Sequence, residues 1–253
     1  MGYDIQKAGM WKRIAAWMLD AILLSVLAVG FVYLLSTMLG YDAYSEQLDA
    51  AYAQYETQYG VAFDITQETY QAMTEAERQN YDAAYQALIA DQDAMYAYTM
   101  MMNLTLVVIT GGLLLGIMLW EFMIPMWIGN GQTLGKKAFG LGLIREDGVR
   151  VSTLQLFIRT LLGKFTIETM IPVYILLMLF WGTLDLTGTL ILGAMLLGQA
   201  VCVGMTRNHS AIHDLLAATV VVDLSSQTIF RSREELIEYQ KRVAAERAAR
   251  QTY

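Results

Sequence analysis

Apolar residues fall into four long runs, Ile14–Leu39, Leu104–Ile128, Phe165–Leu184 and Gly188–Met205. Each is close to the roughly 20 residues a helix needs to cross the hydrocarbon core of a bilayer. Glycine and proline inside the runs do not disturb this reading, because a membrane helix satisfies its backbone hydrogen bonds within itself. Four buried helices of a soluble protein would need far more polar chain to cover them. The first run is too long for the apolar region of a cleaved signal, and no small-residue cleavage site follows it before Tyr41, so it reads as a signal anchor.

Between the first two runs the periodicity changes. Tyr44, Leu48, Tyr52, Tyr55 and Tyr59 recur at helical spacing and predict one helix that stops at Gly60. Thr74-Glu-Ala-Glu77 has the form of a capping box and opens a second helix. Its stripe of Tyr81, Tyr85, Leu88 and Met95 runs on into the second apolar run. The two helices are expected to pack as a hairpin through their tyrosines. Ten tyrosines lie between Tyr41 and Tyr98, and a partner-binding face is the alternative use for them.

Further along, Asp147-Gly148 between β-prone residues predicts a β-hairpin. Thr153 is placed to cap an amphipathic helix containing Leu154, Phe157, Ile158, Leu161 and Leu162. With Arg159 and Lys164 alongside, that helix is expected to lie at the membrane surface. Ser232 and Glu235 mark another capping box, opening a charged helix over Ser232–Arg250. The expected fold is an all-α membrane protein with four transmembrane helices, an external helical hairpin and a small cytoplasmic β-hairpin. Its segments are an N-terminus and first span (1–40), the external Tyr-rich hairpin (41–99) and the second span (100–128). A basic loop, β-hairpin and surface helix (129–164) follow, then the third and fourth spans (165–205) and a His-Asp segment with the charged C-terminal helix (206–253).

Composition supports the membrane reading. Hydrophobic residues make up 56% and charged residues 16% of the 253, against about 45–50% and 25% in ordinary globular chains. The single cysteine, Cys202, excludes an intramolecular disulfide. The formal net charge of −7 conceals a sharp asymmetry. The 41–99 segment carries eleven acids and only Arg78, while the other 16 of 17 Lys and Arg residues fall on the opposite side of the four runs. The positive-inside bias makes that side cytoplasmic, and an even number of spans returns the C-terminus to it.

Ionisable groups inside spans are expensive and therefore candidates for function. Asp20 is the clearest. It lies two turns after Arg13 on the same helix face, about 10 Å along the axis, too far for a direct pair. A cation on another helix, such as Arg159, is its expected partner, and proton or cation handling is the alternative. Glu121 is a second candidate. Lys164 and Glu168 are spaced to pair with each other, and Asp185 reads as solvated. Asn103, Thr105 and Thr110 are placed to hydrogen-bond across helices. Gly112-x-x-x-Gly116 and Ala194-x-x-x-Gly198 suit close helix contact. Gly131-Gln-Thr-Leu-Gly135-Lys136-Lys137 fails as a phosphate loop on glycine spacing, on Lys137 in place of Ser/Thr, and on the lack of a preceding strand. As a basic turn at the inner face it is expected to touch lipid headgroups. His209 and His213, with Asp214, have a metal-compatible spacing but no evident third ligand, so they read as a polar junction.

Arg13, Asp20, Gly131-Gln-Thr-Leu-Gly135-Lys136, Asp147-Gly148, Arg159 and His213-Asp214-Leu-Leu-Ala-Ala-Thr219-Val-Val-Val222 occur in the order seen in the RDD family of bacterial membrane proteins. The chain resembles that family from about Trp11 to Val222. The name refers to one arginine and two aspartates, here matched to Arg13, Asp20 and Asp214. The Tyr-rich hairpin, the C-terminal helix and His209 depart from the pattern. The resemblance implies a bacterial cytoplasmic membrane and a link to transport, with no settled ligand. A polar cluster of Arg13, Asp20, Arg159 and Asp214 is expected, with Glu121 and His213 as accessory groups and no catalytic residue, metal or cofactor. Two functions fit. The first is a non-catalytic scaffold or accessory subunit that binds partners through the hairpin and the C-terminal helix. The alternative is a transporter, with proton-coupled cation movement through Asp20. An enzyme has only the His209/His213/Asp214 group behind it. The expected partners are the lipid bilayer, proteins at those two elements and a second copy of the chain, with no nucleic acid.

Overall fold

The computed structural model describes residues 7–175, 186–206 and 210–251. The described residues are mostly helical, with one two-stranded sheet among them. Among the described residues two helices are long and apolar enough to cross a membrane, Met10–Met38 and Gln92–Ile128. The third predicted run is helical through Glu168, breaks at Met170 (φ 56°) and resumes over 171–175. Positions 176–185, including Asp185, lie outside the described residues, as does His209. The fourth run forms helix Leu186–Met205.

Two compact units make up the chain, one of Met1–Ala28 with Leu114–Tyr253, the other Val29–Leu113. The second unit starts within α1 (Met10–Met38), which gives way at left-handed Gly40 to α2 (Tyr41–Tyr59), and α2 ends at Gly60 with φ 64° as predicted. A short helix that the periodicity did not reveal, α3 (Gln67–Ala72), precedes α4 (Glu75–Ala90). The capping box at Thr74 and Glu77 is present. Phe63 joins the two long helices, its ring 5.6 Å from Tyr52 and 5.7 Å from Tyr81. These edge-to-face spacings are the preferred ones for aromatic pairs. The hairpin therefore packs through aromatic rings, but α4 does not run straight into the second span. Asp91 interrupts it and accepts hydrogen bonds from the Asp93 and Ala94 amides (2.9 and 3.2 Å), so a new helix, α5 (Gln92–Ile117), begins there.

Gly112 permits the close approach predicted for it. A methyl group at that position would stand 2.5 Å from Val32 Cγ2 and 2.8 Å from its amide nitrogen. Gly198, by contrast, faces open space among the described residues, so its spacing motif makes no helix contact there. Thr105 donates to Met101 of its own helix instead of bonding across to another.

In the first unit α5 leads into a π-helical segment, Met118–Met123, and then α6 (Ile124–Ile128). After the turn at Gly129–Gly131 come α7 (Leu134–Ala138) and strand β1 (Leu141–Arg145). Asp147-Gly148 does form a turn, but the hairpin expected around it shrinks to one bridge, Ile144 to Arg150. The main partner of β1 is β2 (Thr219–Asp223), antiparallel with Leu141 opposite Asp223 and Arg145 opposite Thr219. The reason is burial: Leu141, Leu143, Ile144, Val220 and Val222 are almost fully buried in this pairing. The residue that caps the surface helix is Ser152, not Thr153: α8 (Thr153–Phe157) follows it and continues as an eleven-residue π-helix, Ile158–Glu168. Helix α9 (Leu186–Met205), α10 (Ile212–Leu216) and the charged α11 (Arg233–Gln251) complete the unit.

Candidate functional site

Both π-helical segments carry ionisable side chains into one place. In a π-helix the backbone bonds join residues five apart, so Arg159 and Lys164 come onto the same face of Ile158–Glu168. Glu121 sits in the other π segment and is 3% exposed. Lys164 pairs with Glu121 Oε1, while Arg159 Nη1 and Lys136 Nζ lie 3.5 and 3.7 Å from Oε2. Arg159 Nε donates to Asp214 Oδ1 at 2.8 Å, and Thr219 Oγ1 donates to the same oxygen at 3.1 Å. Arg13 approaches Asp214 Oδ2 at 3.9 Å.

His213 is fixed in one tautomer by its partners. Arg159 Nη2 lies 2.8 Å from His213 Nε2, and a guanidinium can only donate. Nε2 therefore accepts, and the proton resides on Nδ1, which donates to Glu168. Gln199 Nε2 donates to the same Glu168 oxygen at 2.8 Å. Burial, with Arg159 beside it, holds the His213 imidazole below its ordinary value, so it is neutral at pH 7. Burial would raise the Asp214 carboxyl, but Arg159 and His213 outweigh it and hold it well below the usual range. Burial also brings the Lys136 ammonium down to about 8, against the opposing pull of Glu121.

These groups surround a cavity of ≈ 230 Å³. Arg13, Lys136, Arg159 and Lys164 face it together with Asp20, Glu121, Glu168 and Asp214. Four cations thus meet four carboxylates, and with His213 neutral the lining carries no net charge.

Residues 7–218 match the RDD family. The chain belongs to the RDD family. No curated protein and no solved structure matches it. RDD proteins are membrane proteins, in keeping with the two long apolar helices.

Of the residues that carry the family resemblance, Arg13, Arg159 and Asp214 meet directly. Asp20 lines the same cavity but does not pair with Arg159. Its Oδ1 accepts from Trp120 Nε1 (3.0 Å) and the Gly135 amide (2.8 Å), and its Oδ2 accepts from Thr133 Oγ1. Gly135 must lack a side chain for this, because a methyl group there would stand 2.4 Å from the Ala16 carbonyl and 2.7 Å from Asp20 Cγ. The Gly131–Lys137 turn therefore docks on a carboxylate of its own chain, and Lys136 is buried beside Glu121, away from any headgroup. Lys164 and Glu168 do not pair with each other either; one takes Glu121 and the other His213. Arg159 is 3% exposed, so its face of the predicted surface helix points into the protein.

Sequence reasoning undervalued Glu121 and gave no site role to Lys136, Trp120, Thr133 or Gln199. The only local signal for Glu121 and Trp120 was their position inside an apolar run. His209 is not among the described residues, and no group of three or more metal-ligating side chains occurs among those that are.

Proposed function

We propose that this RDD protein moves a small cation across the membrane in exchange for protons, by way of the charge-lined cavity. The observation that carries this reading is the cavity itself, ≈ 230 Å³ lined by eight charged side chains and His213. Charged groups facing an empty space would be strongly destabilising, and a polar void of this size is filled by water or ions. Ionisable groups so placed in a membrane protein mark solute or proton pathways. The neutrality of the lining supplies the coupling: a cation that enters is accommodated when an equal positive charge leaves. Asp20, engaged by three donors, serves in this scheme to hold the 131–137 turn against α1. Purified protein reconstituted into vesicles with an internal pH dye is expected to show proton flux on imposing a sodium or potassium gradient. Glu121→Gln should reduce that flux at least tenfold while the protein stays folded. Folded, inserted protein without flux under either gradient would overturn the proposal.

A second reading, a scaffold that binds partners, rests on the 41–99 hairpin. Tyr85, Tyr96 and Tyr98 are exposed there, although Tyr96 also meets the Tyr44 ring edge-to-face at 6.1 Å. Substituting these three by serine would abolish partner binding on this reading and leave any cation flux intact.

A further inference from the structure

A second polar cleft, apart from the cavity between the π-helical segments, lies where the second apolar helix ends. Its volume is ≈ 370 Å³, and Asn130, Arg150 and Arg231 contribute polar side chains to its lining, which contains no carboxylate among the described residues. Three features bring these side chains together. The Arg150 amide donates to the Phe230 carbonyl at 2.9 Å, so the 229–231 segment runs alongside 149–150. The Arg150 guanidinium lies over the turn, with Nη2 3.3 Å from where a Gly129 methyl group would stand. Asn130 itself holds φ 53°, a conformation unusual for a residue with a side chain and concentrated at functional sites.

Both guanidiniums are exposed, and neither forms an ion pair with a described residue. Glu235, an acid tied to this segment, is engaged with the Arg231 amide at 2.6 Å. Two uncommitted guanidiniums line this cleft with the Asn130 amide, and the planar donor fork that each guanidinium carries suits a tetrahedral oxyanion. Position narrows the ligand further. Trp127, 69% exposed, immediately precedes the end of the apolar helix at Ile128, and tryptophan is favoured at the headgroup level of a bilayer. We infer that this cleft binds a phosphate group, with Arg150 and Arg231 as its ligands.

The phosphate has two possible sources, an anionic lipid headgroup or a soluble phosphate, and the test separates them. Full-length protein in neutral detergent is mixed with equal phosphatidylglycerol and phosphatidylcholine, and bound lipid is counted by native mass spectrometry. In parallel, inorganic phosphate is titrated calorimetrically. A preference for phosphatidylglycerol of about tenfold or more, lost in Arg150→Gln/Arg231→Gln, assigns the cleft to a headgroup. Phosphate binding lost in the same variant, without lipid preference, assigns it to a soluble phosphate. Arg150→Lys/Arg231→Lys keeps the charge and loses the fork, so it should bind several-fold more weakly while melting like the parent chain; it decides the matter if the glutamine variant does not fold. Lys137→Gln, which removes an exposed charge from the neighbouring turn, should change neither measurement. Equal effects from Lys137→Gln, or no preference and no phosphate binding in the parent chain, would overturn the inference.

Discussion

Asp20 illustrates how much a buried residue depends on its donors. Removing its carboxylate orphans the Trp120 indole, the Thr133 hydroxyl and the Gly135 amide together. Asp20→Ala is therefore expected to lower stability by about 3 kcal/mol or more, since each buried unsatisfied donor costs about 1–3 kcal/mol. Asp20→Asn keeps an acceptor for two donors and should cost less than half as much, while Asp64→Asn, at an exposed position, should leave the melting temperature unchanged. Equal melting of all three would remove the anchoring role. His213 makes a pH-dependent contribution whose sign follows from its environment. Its value is lower in the folded chain than in the unfolded one, so the unfolded state takes up the proton first as pH falls. Stability is complete above the ordinary histidine value and is lost as pH drops below it. His213→Gln, which can still donate to Glu168 and accept from Arg159, should flatten the fall in melting temperature between about pH 7 and 5.

At the scale of elements, two glycines set how closely neighbouring segments approach. Gly163 lies in the Ile158–Glu168 π-helix, and a methyl group there would stand 2.4 Å from His213 Cβ and 2.7 Å from its Cα. Gly135 does the same for α7 against α1. Gly163→Ala and Gly135→Ala are each expected to destabilise the protein by about 1–3 kcal/mol through overpacking. Gly30→Ala, which meets nothing within 4 Å, should slightly stabilise its helix by propensity. A melting series in detergent checks all three. Within the hairpin, by contrast, several local signals were sufficient, although they missed α3 and the break at Asp91. The Gly60 stop, the Thr74 capping box and the tyrosine stripe are local devices, and each acts where the pattern put it.

For the whole molecule, the charge asymmetry leads to a topology proposal: four spans, both ends cytoplasmic and 41–99 outside. Cysteine introduced at Gln67 should react with an impermeant maleimide added to intact cells, in a Cys202→Ala background. Cysteine introduced at Gln240 should react only after the membrane is opened. Labelling of both from one side would refute the arrangement.

The sequence by itself determined the membrane class, the two long apolar helices, the helical hairpin and the family. Each of these rests on composition, on periodicity over neighbouring residues, or on an ordered set of short motifs, and such information survives in a linear chain. Tertiary structure alone decided which charges meet. Arg159 is 55 residues from Asp214, and Glu121 is 43 from Lys164. No local pattern announces such pairs, because an ion pair is selected by the cost of leaving any charge buried alone, summed over every element that reaches the site. The same holds for β1, whose partner is β2 instead of the residues beyond its own turn, because pairing with β2 buries both apolar strands. The π-helical backbone was equally invisible: read at α-helical spacing, the 158–168 segment puts Arg159 and Lys164 on different faces, and only the five-residue spacing aligns them on the cavity.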